Sequence, residues 1–178
     1  LADPNKLQRF EHAVLPYLDA AYNLARWLTH DPHQAEDVVQ EAYLRAFKFF
    51  DGHAGGDTRA WLLAIVRNTC YTWLQHNRRP TEMTRFDEQM HGESSEDDPG
   101  QAMLREADRE MIRDALEELP AEAREVLVLR EFEGLSYREI AVVASVPLGT
   151  VMSRLTRARR RLVQILTGRQ SEEVGRGL

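Results

Sequence analysis

The sequence holds a single cysteine, Cys70, so no intrachain disulfide can form and a reducing cytoplasm is the expected setting. No apolar run approaches the ~20 residues that a bilayer requires, which excludes a membrane-spanning helix. The opening residues, Leu1-Ala2-Asp3-Pro4-Asn5-Lys6, carry no apolar signal region, so secretion is not expected. Lysine is nearly missing: Lys6 and Lys48 are the only two among 23 basic residues. The rest are arginine, the side chain suited to bidentate contacts with phosphate and guanine, or a mark of compositional bias. The six histidines (His12, His30, His33, His53, His76 and His91) are scattered, and none forms an HExxH pair. There is no phosphate-binding glycine loop and no dinucleotide fingerprint. Paired carboxylates such as Glu117-Glu118 are expected in a charged, exposed helix. No catalytic residue, metal or cofactor is therefore expected, and the chain reads as a non-enzyme.

What is present is an ordinary globular composition, 43% hydrophobic and 29% charged over 178 residues. That length suits one domain or two small ones. The net charge of −6 argues at first against nucleic-acid binding. Its placement changes the argument. Residues 1–81 carry 9 basic and 9 acidic groups. Residues 82–98 carry 1 basic and 7 acidic groups, which equals the whole net charge. Residues 148–166 carry 5 arginines and no acid.

The segment Thr81–Asp98 lacks an apolar period and is flanked by Pro80 and by Pro99-Gly100. It reads as a flexible acidic linker, because it cannot bury enough surface to offset its ordering entropy. The expected division is a module over 1–80, a linker over 81–98, a second module over 99–170 and a tail over 171–178. Both modules read as all-α. Phe10, Val14, Leu18, Ala21, Ala25 and Leu28 recur at helical spacing, interrupted by Pro16. Asp31-Pro32 is a cap followed by proline at the first helical position. Ala35, Val38, Ala42 and Ala46 mark the next stripe. A glycine-rich loop over Asp51–Asp57 precedes a third helix with Trp61, Ile65, Thr69, Cys70 and Trp73 inward. On that face Trp61 and Trp73 read as core, and Cys70 as an inert core thiol.

In the second module, Leu104, Ala107, Met111, Ala115 and Leu119 form one stripe, and Gly134 ends the helix that follows. Ser136 and Glu139 have the spacing of a capping box. The short helix it opens (Ile140, Ala141 and Ala144 inward) leads through Ser145-Val146-Pro147 to a final helix, about Gly149–Leu166. Together they have the layout of a helix-turn-helix. Thr150, Ser153, Arg154, Arg157 and Arg161 fall opposite or flanking the apolar stripe of the last helix. Arginine can bridge guanine O6 and N7, and hydroxyls can bind phosphate.

The run Leu119-Pro120, Leu129-Arg130-Glu131, Gly134-Leu135-Ser136-Tyr137-Arg138-Glu139-Ile140-Ala141, Gly149-Thr150-Val151 and Ser153-Arg154-Leu155 resembles region 4 of the sigma-70 family. Asp37-Val38-Val39-Gln40-Glu41-Ala42-Tyr43 resembles region 2.2. Trp61-Leu62, Asn68-Thr69 and Arg78-Arg79 resemble regions 2.3 and 2.4. The order and spacing hold over nearly the whole chain. Two modules without regions 1.1 or 3 resemble the extracytoplasmic-function (ECF) group.

The resemblance implies a factor that binds core RNA polymerase, through its β′ and β subunits, and directs it to the −10 and −35 elements of promoter DNA. Asp37, Gln40, Glu41 and Arg45 then correspond to the surface that docks on the β′ coiled coil. The loop Phe50–Thr58, with Gly52 and His53, and Asn68 correspond to the pocket for a flipped −10 base. Arg67, Arg78 and Arg79 are candidate phosphate contacts there. Thr150, Ser153, Arg154, Arg157 and Arg161 correspond to the −35 contacts. An anti-sigma factor is expected as a partner, and the cytoplasm as the location, with no membrane insertion. Met152 stands where many relatives carry a basic residue, and Thr72 where many carry an acid. The resemblance therefore implies an activity class and no particular promoter sequence. A stand-alone helix-turn-helix regulator is the alternative from another class. It predicts a ligand or phospho-acceptor domain in place of the first module.

Overall fold

The first module forms four helices because the sequence supplies apolar stripes with sharp punctuation between them. The structure, a computed structural model, describes residues 4–53, 55–77 and 99–176. Helix α1 (Pro4–Val14) ends at a tight 3-10 turn, Leu15–Tyr17, where Pro16 lacks a backbone donor. Helix α2 (Leu18–Thr29) follows at once. The three-residue period of the turn shifts the phase of the stripe. Leu18, expected inside, is for that reason 42% exposed, while Val14, Ala21, Leu24, Ala25 and Leu28 are buried.

Helix α2 closes on His30, which takes the left-handed conformation (φ 60°). Asp31 then caps α3 (Pro32–Phe49). Its carboxylate accepts from the N–H groups of His33 (2.8 Å) and Gln34 (3.1 Å). Buried Ala35, Ala42 and Ala46 let α3 lie close to its neighbours. Phe10 pins α1 to this layer, meeting Phe47 edge-on at 5.2 Å and Phe50 at 5.3 Å. The Tyr43 hydroxyl donates to the Val14 carbonyl at 3.2 Å, and burial, with Asp19 nearby, pushes it up to about 12. Helix α4 (Thr58–His76) is capped by Asp57, which accepts from the Ala60 N–H at 3.0 Å. Its Leu62, Leu63, Val66 and Cys70 are fully buried. Burial, then the charge of Glu125, pushes the Cys70 thiol up to about 12, which makes it a packing residue. Trp61 and Trp73, expected as core, are each half-buried.

The second module begins with α5 (Pro99–Glu117). Ala115 and Leu116, with Leu119 beyond the helix, are buried, and Ala107 is exposed; Leu104 falls outside the described side chains. Helix α6 (Ala121–Leu127) widens into a π-turn at Val128–Phe132. Gly134 ends it at φ +65°, a conformation open to glycine. Helix α7 (Tyr137–Ala144) buries Ile140, Val143 and Ala144 and leaves Ala141 half-buried. Helix α8 (Leu148–Arg176) runs well past the expected end at Leu166, so the helix continues into the expected tail.

The modules do not stand apart. Helix α4 packs on α7, and α2 packs on α6 and the π-turn. The buried residues of both modules form one continuous cluster. The acidic stretch 81–98 and the candidate contacts Arg78 and Arg79 lie outside the described residues. Among the described residues there is no strand, and no helix is long and apolar enough to cross a membrane.

Candidate nucleic-acid interface

The α7–turn–α8 unit is built as its local sequence requires. Ser136 Oγ accepts from the Glu139 N–H (3.2 Å), and the Glu139 carboxylate accepts from the Ser136 N–H (2.6 Å). These hydrogen bonds hold the Glu139 carboxyl below its usual range. Ser145 makes the turn in the left-handed conformation (φ 54°), and the Pro147 carbonyl accepts from Thr150 (2.9 Å) and Val151 (3.2 Å).

Val151, Leu155 and Ala158 bury one face of α8, which turns the other outward. Ser153, Arg157 and Arg161 are exposed there, and Thr150 is half-buried at the edge. Ser153 Oγ donates to the Thr150 carbonyl (3.1 Å), and Arg157 Nε donates to the Ser153 carbonyl (3.3 Å), so both stay along the helix. Arg154 lies differently. Its side chain is 18% exposed and pairs with Glu122 of α6 at 3.4 Å, and its Nη1 is buried without an acceptor. Leu148 and Met152 add exposed apolar surface to the same helix end. Apolar groups of this kind can meet a thymine methyl. Sequence periodicity did not single out either residue.

In the first module, the loop ahead of α4 folds over Trp61. The His53 ring stacks on the indole at 4.4 Å and 13° and stands 3.3 Å from Thr58 Oγ1. Gly52 is exposed, and Gly55 is left-handed at φ +74°. Asn68 is exposed and accepts from Arg67 Nη1 at 3.3 Å. Arg67 itself is only 15% exposed and is paired with Glu125 of α6. Trp61 and Asn68, seven residues apart, share one side of α4.

Asp37, Gln40, Glu41 and Arg45 are all exposed on α3, and Arg45 pairs with Glu41 one turn away. Between α3 and α4 lies a groove of about 220 Å³. Asp37, Glu41 and Arg45 form one wall, and Thr72, Trp73, His76 and Asn77 the other. Sequence reading set Trp73 in the core and missed this wall. It also missed Leu44, 72% exposed on α3. The signal available was an apolar residue off the stripe.

The module seam carries a second charged group. His30 Nδ1 lies 4.0 Å from a Glu117 oxygen, too far for a hydrogen bond. Burial first, then the Arg124 and Arg26 guanidiniums, lower the His30 pKa from 6.5 to about 4. Burial, with Asp114 adding to it, raises that of Glu117, which was expected to be exposed and is instead turned partly inward, while Glu118 is exposed. Among the described residues, no group of three or more His, Cys, Asp or Glu side chains is placed to hold a metal ion.

Comparison with known proteins gives a consistent picture. Residues 13–80 match the family model for sigma-70 region 2, and residues 109–162 match that for sigma-70 region 4. The RNA polymerase sigma-H factor of Pseudomonas aeruginosa is 37% identical over 166 residues, covering 88% of this chain and 86% of that protein. The ECF RNA polymerase sigma factor SigE of Mycolicibacterium smegmatis is 32% identical over 171 residues, covering 96% and 66%. Among solved structures, the sigma factor RpoE in complex with the anti-sigma factor NepR from Bartonella quintana superposes with a TM-score of 0.73. It is 27% identical and covers 90% of this chain and 98% of that one. CnrH in complex with the cytosolic domain of CnrY superposes with a TM-score of 0.63 at 27% identity, covering 90% of each chain.

Proposed function

This chain belongs to the sigma-70 family of RNA polymerase sigma factors, in its extracytoplasmic-function group, and on that premise we propose how its residues divide the work. The chain binds core RNA polymerase, recognises promoter DNA and starts transcription. Residues 1–80 serve core binding and the −10 element, residues 99–170 serve the −35 element, and residues 81–98 join them. The α3 face of Asp37, Gln40, Glu41 and Arg45, with Leu44 beside it, docks on the polymerase. The loop of Gly52 and His53, together with Asn68 and Trp61, takes a −10 base, and Arg67, Arg78 and Arg79 hold phosphate. On α8, Thr150, Ser153, Arg154, Arg157 and Arg161 meet the −35 element.

The chain performs no covalent chemistry and acts in the cytoplasm. An anti-sigma factor is its expected inhibitor. Two of the similar solved structures are complexes, one with an anti-sigma factor and one with the cytosolic domain of CnrY.

The observation that carries the reading is the capped α7–turn–α8 unit, whose outer face presents Ser153, Arg157 and Arg161 to solvent. A stand-alone regulator is disfavoured, because the first module matches sigma-70 region 2. The deciding experiment adds the purified chain to core polymerase on genomic templates. Promoter-specific transcripts that depend on the chain are expected. No transcript from any template would sink the reading.

A further inference from the structure

Val151, Leu155 and Ala158 seat α8 on the second module. Each four-residue step along a helix turns a further ~40° around its axis. Leu148, Met152 and Thr156 therefore climb from the edge of that buried stripe onto the outer face, and all three are exposed. Beside them runs a second strip, Ser153, Arg157, Arg160 and Arg161, also exposed. The outer face of α8 is thus part apolar and part basic.

The hydroxyl groups sharpen this division. Thr156 Oγ1 donates to the Met152 carbonyl at 3.0 Å, and Ser153 Oγ donates to the Thr150 carbonyl at 3.1 Å. Both hydroxyl protons stay within the helix. Gly149, one turn before Met152 and Ser153, adds no side chain, although a Cβ there would meet nothing within 4 Å. The fold does not need that glycine, and its absence of a side chain clears the surface around Met152. Met152 is left projecting, 51% exposed, with no hydrogen-bond donor.

A helix laid in the major groove brings such a group against the base edges. The apolar landmark there is the 5-methyl of thymine. Set against adenine, guanine or the cytosine amino group, a methionine strips water from polar edge atoms and offers them no partner. Set against thymine, the flexible thioether packs on the methyl. Attraction and rejection then favour the same base.

We propose that Met152 is a specificity-determining residue of the −35 contact, reading one thymine through its 5-methyl group while the arginines beside it hold phosphate or guanine. The proposal rests on the reading of α8 as the −35 helix.

The test uses holoenzyme assembled from the full chain and core polymerase. The preferred −35 sequence is first selected from duplexes randomised over that element. Each selected thymine is then replaced singly by deoxyuridine, which removes the methyl and keeps the base pair. One replacement is expected to weaken binding about fourfold, the effect of exposing one buried methyl. In Met152→Ala that thymine and uracil are expected to bind alike. In Met152→Arg the selected base at that position is expected to become guanine, the base an arginine reads. Met152→Gln carries the test if Met152→Ala melts early.

A selected sequence in which no thymine methyl matters overturns the proposal. So does a thymine preference that persists undiminished in the Met152 variants. Weakened assembly with core polymerase in those variants, with the thymine preference intact, makes Met152 a protein contact and overturns it as well. Arg157→Ala separates the proposal from the reading beneath it. Weaker binding to the −35 duplex, with the fourfold ratio kept, supports both. Unchanged binding removes the −35 role of α8 and the proposal with it. Weaker binding in Arg157→Ala beside a methyl effect indifferent to Met152 removes the proposal alone.

Discussion

His30 offers a sharp electrostatic test of the module seam. It stands at the C-terminus of α2, facing Arg26 of its own helix, Arg124 of α6 and Glu117 of α5. Burial and the two guanidiniums oppose its protonation, lowering its pKa from 6.5 to about 4. Protonation is thus easier in the unfolded chain. The stability tied to neutral His30 is intact above the unfolded value and drains away as pH falls toward the folded one. The full shift corresponds to about 3 kcal/mol, of which about 2 kcal/mol is lost between about pH 7 and about pH 5.

His30→Asn isolates the effect, because asparagine tolerates the left-handed backbone at φ 60° and does not titrate. Urea unfolding, followed by tryptophan fluorescence, measures both proteins at both pH values. The variant is expected to lose about 2 kcal/mol less than the unsubstituted chain on acidification. Glu117 works the other way, since burial raises its pKa and protonation relieves it. It is present in both proteins and drops out of the difference. Equal pH slopes would show that His30 is solvated in solution, and the reasoning about the seam would fail.

Arg157→Ala and Arg154→Ala should both weaken holoenzyme binding to a −35 duplex, by about 1–3 kcal/mol or less each. Anisotropy titrations should rank Arg157 first, because Arg154 is folded against Glu122; the reverse order would contradict that placement. Ser136→Ala removes one side of the capping box and should cost about 1 kcal/mol, read as a lowered melting temperature. An unchanged melting temperature would mean the cap bears no load. Asn68→Ala should impair promoter opening more than −35 binding. A normal permanganate footprint in that variant rejects its −10 role.

Local features were legible in the sequence, because their causes are local. Pro16, Asp31-Pro32, Gly134 and the Ser136–Glu139 pair each act within a turn of their own position, and each sits where the residues predict. Periodicity failed where a neighbour resets it. Leu18 is exposed because the 3-10 turn rotates α2, and Val143 replaces Ala141 in the core of the second module. The burial of Arg124 and Glu125 was invisible for a different reason. Glu125 finds its cation 58 residues away, a separation no local pattern encodes. A charged residue in a helix reads as solvated until its partner is known. The same gap hid the role of Arg67 in the seam and the inward lean of Arg154.

The charge pattern gains a meaning from those partners. The excess acid of residues 121–147 is spent on arginines of this same chain. Glu125 and Glu133 meet Arg67 and Arg59 on α4, while Glu122 and Glu131 meet Arg154 and Arg159 on α8. Arg157, Arg160 and Arg161 stay exposed. Sequence-independent affinity for DNA grows with the number of phosphates neutralised. An arginine held by a carboxylate of its own chain is less available to random duplex. Net charge, the quantity that first argued against DNA binding, thus says less than placement: the −6 sits in residues 82–98, while Arg157, Arg160 and Arg161 sit exposed on α8.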